Sequence, residues 1–115
     1  MMTGTPDWIV GQNVKARRKL GGLNQSDFGN LLALVDRRES RTWDKSTVSR
    51  LERGQVSIDF HLLVGLARLL SCSPRQLLNP PDGTTQIAVA GTTLSRRRWS
   101  WCLDFEGDDE PDSSE

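Results

Sequence analysis

The sequence is poor in the residues from which most enzymes and metal sites are built. Its 115 residues include one histidine (His61), two cysteines (Cys72 and Cys102) and no tyrosine. A Cys/His zinc site needs about four ligands, and no close pair of them is present. A serine triad would have to use His61, and no Gly-x-Ser-x-Gly elbow exposes a nucleophile. No phosphate loop of the GxxxxGK[ST] type occurs. Long apolar runs are missing too: none approaches the roughly 20 residues that cross a bilayer. The start, MMTGTPDWIV, lacks the basic end and apolar stretch of a signal peptide. These absences argue against catalysis, a metal, a cofactor and a membrane partner, and favour a cytoplasmic protein. A disulfide between Cys72 and Cys102 is not expected in that compartment.

What is present suits a single soluble domain, with 36% hydrophobic and 26% charged residues. The net charge is zero, but it is unevenly spread. Residues 1–80 hold twelve Lys/Arg against seven Asp/Glu, a net +5, and residues 81–115 hold three against eight, a net −5. A basic front half points to a nucleic-acid partner. Arginine outnumbers lysine twelve to three. That fits selection for phosphate contacts, and it fits a GC-rich genome equally simply.

Pro80-Pro81-Asp82-Gly83 punctuates the chain. It separates a domain over 1–80 from an extension over 81–105 and an acidic tail over 106–115. The tail carries no apolar side chain and is expected to be disordered. Helical signals fill the first part. A helix capped by Asp7 runs to about Lys19, with Val10 and Val14 inward, and stops at Gly21-Gly22. Asn24 caps a second, with Asp27 three residues on, and Phe28, Leu31 and Leu32 form its apolar stripe. Asp44 caps a third, which ends at Gly54. Trp43 and Val48 occupy the two positions of a hydrophobic staple around that cap. A fourth runs from about Ile58 to Leu70, and Ser73-Pro74 opens a fifth.

The third helix is too short to stand alone. Its Val48 and Leu51 face the core, so Lys45, Ser46, Ser49, Arg50 and Arg53 are left outside. Two short helices joined by a turn, the second with a polar outer face, make a helix-turn-helix pattern. Here the residues resemble a known family. Leu20-Gly21-Gly22-Leu23-Asn24-Gln25, Ser46-Thr47-Val48-Ser49-Arg50-Leu51-Glu52-Arg53-Gly54, Leu66-Ala67-Arg68-Leu69-Leu70 and Ser73-Pro74-Arg75-Gln76-Leu77-Leu78 resemble the lambda-repressor-like (Cro/CI-type, XRE) DNA-binding domain. The resemblance spans residues 8–79, approximately, and the Ser46–Gly54 stretch is its most specific part.

The resemblance implies an all-α, five-helix fold with a short C-terminal extension. It implies a sequence-specific double-stranded DNA-binding regulator, a repressor acting as a homodimer. Lys45, Ser46, Ser49 and Arg50 fall on base-contacting positions. Gln25 and Arg53 fall on phosphate-contacting ones, and Asn24 and Thr47 beside them join that set. Glu52 matches an acid that pairs with an arginine of the first helix, which is Arg18 here. One departure stands out. Asp36-Arg37-Arg38-Glu39-Ser40-Arg41-Thr42 lengthens the connection between the second and third helices well beyond the usual turn of about four residues. Its arginines either reach the DNA backbone or form a solvated loop.

The extension reads two ways. Ile87 and Val89 alternate with alanines, a weak strand signal. Within 94–105, a helix capped by Ser95 gathers Trp99, Cys102 and Leu103, whereas a strand alternates Trp99, Trp101, Leu103 and Phe105. The helix is the favoured reading. These side chains either pack on the domain, pair with a second subunit, or bind another protein through residues 94–105. The last option is that of an antitoxin which binds its toxin there and autoregulates by DNA binding. His61 reads as a surface residue, and Cys72 as part of the core.

Overall fold

The computed structural model describes residues 2–36 and 42–104. The insertion arginines Arg37, Arg38 and Arg41, together with Phe105 and the acidic tail, lie outside the described residues. Nine elements follow in order: β1 (Met2–Gly4), α1 (Pro6–Leu20), α2 (Gln25–Val35), α3 (Lys45–Glu52), α4 (Phe60–Leu69), α5 (Pro74–Leu77), β2 (Thr84–Val89), β3 (Thr92–Ser95) and α6 (Arg96–Cys102).

The expectation of an all-α, five-helix fold is therefore wrong. Among the described residues there are six helices and a three-stranded sheet of order β1-β2-β3, so the fold is mixed. β1 runs parallel to β2, and β2 pairs antiparallel with β3 through Ile87–Leu94 and Val89–Thr92. The hairpin between them turns on Ala90 (φ 52°) and Gly91 (φ 77°), the paired positive φ values of a type I′ turn. A lone hairpin is marginal in water. The third strand comes from the other end of the chain, where Met2 pairs with Thr84 and Gly4 with Ile87.

The helix ends follow from their caps. Thr5, rather than Asp7, caps α1: its hydroxyl accepts the Trp8 N–H at 3.2 Å, and Pro6 fills the first helical position. Asp7 instead accepts the Ile58 N–H from across the molecule at 3.1 Å. Asn24, Asp44, Asp59 and Ser73 cap α2 to α5, each accepting an N–H three residues on. α4 therefore begins at Phe60, two residues after the expected start. At the end of α3, Gly54 (φ 78°) lets the Gln55 N–H fold back to the Arg50 carbonyl at 2.9 Å.

Two apolar clusters share α1 as a wall. Val10 and Val14 join Phe28, Leu32, Leu51 and Leu66 in the larger one, between α1 and α5. Ile9, one residue round the helix, packs with Ile87 and Trp99 in the smaller one, under the sheet and α6. Trp99 is 6% exposed, and its indole N–H donates to the Leu78 carbonyl at 2.8 Å. Ser95 caps α6, as the helical reading expected. Arg96 ties the hairpin down: its guanidinium donates to the carbonyls of Pro80, Pro81 and Thr84 at 2.9–3.1 Å. Residues 84–103 are thus docked on the helices.

Candidate nucleic-acid interface

α3 is held from behind. Val48 and Leu51 are fully buried and Glu52 is 2% exposed. Trp43 is buried beside Val48 at the staple positions, and its indole N–H reaches Asp36 Oδ2 at 2.9 Å. That bond ties together the two ends of the insertion. Gly29 of α2 lies so close to the Trp43 carbonyl that a side chain there would collide with it. Gly11 does the same job on α1, where an added Cβ would meet the Leu51 and Glu52 carbonyls.

At the C-terminal end of α3 the Glu52 carboxylate is the hub of a buried network. Arg18 donates Nε to Oε2 at 2.6 Å and Nη2 to Oε1 at 3.1 Å. A third nitrogen, Nη1, donates to the Leu23 carbonyl at 2.8 Å, so Arg18 also fixes the α1–α2 turn. Gln25 Nε2 donates to Glu52 Oε1 at 3.0 Å, which links the first residue of α2 to the last of α3. Gln12 Nε2 donates to the Glu52 backbone carbonyl at 3.0 Å. The end of α3 is therefore tied to α1 by Arg18 and Gln12 and to the start of α2 by Gln25. Gln12 and Gly11 had no signature in the sequence, because their roles depend on where α3 lands.

With that side fixed, the outer face is exposed. Lys45, Ser46, Arg50 and Arg53 are exposed, and Ser49 and Thr47 are half-buried. The six residues lie on one short helix and its end, while Asn24 and Gln25 stand at the start of α2. Thr47 is already engaged: its N–H and its hydroxyl both donate to Asp44 Oδ1 at 2.8 Å. The Thr47 backbone N–H, then its hydroxyl, and the nearby Arg50 charge hold the Asp44 carboxyl below the usual carboxylate range. Asn24 accepts the Asp27 N–H through Oδ1 at 2.8 Å, which leaves its amino group as a donor. His61 is exposed. Cys72 is half-buried against the larger core, and that burial pushes its thiol pKa up. Cys102 is exposed, and both thiols are free.

A solved structure is similar to this chain: the restriction-modification controller protein C.AhdI from Aeromonas hydrophila. The two are 30% identical, over 61% of this chain and 92% of that one, with a TM-score of 0.45. No family model and no curated protein matches. α2 packs against α3 through Gly29 and Gln25, and the polar face of α3 stands free. No helix among the described residues is long and apolar enough to cross a membrane.

Proposed function

We propose that the protein is a DNA-binding transcriptional regulator of the lambda-repressor-like, XRE type, that α3 enters the major groove, and that the usual outcome is repression. The observation that carries the reading is the division of α3 into two faces. Val48, Leu51 and Glu52 are committed to the interior, and Lys45, Ser46, Ser49 and Arg50 project from the other side. A recognition helix reads base edges with the residues of its N-terminal half. Lys45 and Arg50 suit guanine O6 and N7, and serine hydroxyls pair with several bases. Arg53 holds a phosphate at the helix end.

Gln25 has a second amide N–H beyond the one it gives to Glu52, and that N–H is the phosphate donor at the start of α2. Asn24 contributes its amino group in the same place. Thr47 reaches a phosphate only by turning its hydroxyl away from Asp44, which makes it the weakest of the set. One module of this size buries little surface on DNA, so tight binding calls for two copies on half-sites about one helical turn apart. The likeness to a restriction-modification controller protein supports a regulatory role. Trp99, one of the side chains behind the antitoxin reading, is spent on the protein's own core.

Selection of bound oligonucleotides from a random duplex pool tests the proposal. A recovered motif with two related half-sites supports it. Retention of the pool without enrichment overturns sequence-specific binding.

A further inference from the structure

On the side of α1 built by α5 and α6 lies an open groove of about 660 Å³. Its walls combine cations and apolar surface: Arg17 and Arg75 on one hand, Leu20, Trp99 and Leu103 on the other, with Asn79 between. Leu20, at the end of α1, is 88% exposed. No residue of α2 or α3 lines the groove, so it is separate from the proposed DNA face.

The chain itself leads into this groove. Leu103 lines it, and the next residue, Asp104, already sits 4.0 Å from the Arg75 guanidinium. Phe105 follows, and then six carboxylates fall within residues 106–115. An aromatic residue followed by acids complements a groove that offers Leu20 beside Arg17 and Arg75. Cation–carboxylate contacts on half-exposed surface are individually weak and sensitive to salt. Several together, with one apolar anchor, are enough to bias a segment tethered at the groove's rim, because tethering raises its effective concentration.

We propose that this groove is a binding site for an acidic peptide, and that its occupant is the chain's own C-terminal segment, residues 105–115. The proposal does not rest on the DNA-binding reading. It adds that the acids serve the groove and leave the α3 face open.

Amide NMR spectra of the full chain test this, recorded with the native tail and with Asp108→Asn, Asp109→Asn, Glu110→Gln and Asp112→Asn combined. The expected result is a shift of the Leu20, Arg75, Gln76 and Asn79 amides on neutralisation, in the direction produced by added salt, with Ser46 and Ser49 unmoved. Cleavage of the tail by a glutamyl-specific protease gives a second reading. It should be several-fold faster in the Arg17→Gln/Arg75→Gln full chain than in the native one. Unmoved groove amides, or equal cleavage rates, overturn the proposal. Shifts confined to α3 overturn it in favour of a tail that masks the DNA face. Groove shifts that grow with protein concentration overturn it in favour of a second copy's tail.

Discussion

Arg18 on the first helix and Glu52 at the end of the third meet through two N–H···O contacts, at 2.6 and 3.1 Å, with both residues buried. This pair sets the orientation of the helix that presents the candidate DNA-reading residues. Its contribution to stability is a separate matter. Desolvating two charges offsets much of their attraction, so the pair itself adds little, while an orphaned partner is costly. Glu52→Leu or Arg18→Met should each lower unfolding free energy by about 3–5 kcal/mol. The double variant Arg18→Met/Glu52→Leu should recover a substantial part of that loss, and urea unfolding of the four proteins measures the coupling. Additive losses would show that the two side chains act independently.

Gly11 gives a prediction whose sign opposes helix propensity. In an exposed helix interior, Gly→Ala stabilises by about 0.5–1 kcal/mol. Here an added methyl meets the Leu51 carbonyl and would lie 2.8 Å from the Glu52 carbonyl oxygen, and backbone cannot swing aside as a side chain can. Gly11→Ala should therefore destabilise by about 1–3 kcal/mol, the usual cost of overpacking. It should also weaken DNA binding beyond that loss, because α3 is pushed from its seat. A thermal midpoint equal to or above that of the native protein would refute the close approach.

Much of this architecture is legible in the sequence, and the part that is not has a common physical cause. Asn24, Asp44 and Ser73 announce their helices because a cap acts on an N–H three residues away, and the Trp43–Val48 staple is equally local. The sheet is different. β2 is a weak alternation of Ile87 and Val89 with alanines, and it becomes a strand between β3 on one side and Met2–Gly4, from more than eighty residues away, on the other. Nothing in a short N-terminal segment specifies such a partner. Asp7 illustrates the same limit on a smaller scale. It is a good cap by type, yet Thr5 takes that role and Asp7 is drawn to the Ile58 N–H. In the candidate site, the outward face of α3 follows from its periodicity. The contacts of Gln12 and Gly11 follow only from its packing.

Asp44 supplies a pH signature. Its carboxyl titrates below the usual range because the Thr47 N–H and hydroxyl bind the ionised form. A carboxyl whose folded pKa lies below its unfolded value, near 3.9, contributes stability that is complete above that value and lost as pH falls through the folded one. Asp44→Asn keeps a capping oxygen but removes the charge. The native protein should exceed this variant in thermal midpoint at neutral pH, and the gap should shrink as pH falls below the unfolded carboxyl value and through the lower folded one. Thermal scans across that interval read the gap directly, and a constant difference would exclude the charge as its source.

Arg50 and Arg53 are both exposed on or just beyond α3, three residues apart, and they separate two modes of DNA contact. If Arg50 reads a base edge as proposed, Arg50→Ala should cost about 1–3 kcal/mol on a selected site and relax one base position. On random duplex its effect should be small. Arg53 caps the C-terminal end of α3 and is the proposed phosphate contact. Arg53→Ala should weaken selected and random duplexes alike and reduce the slope of log affinity against log salt by about 0.9. Titrations of both variants on both duplexes, at several salt concentrations, make the comparison. If Arg50→Ala loses affinity equally on the two duplexes, with a reduced salt slope, then Arg50 is a phosphate contact. Base reading would then fall to Lys45, Ser46 and Ser49 alone.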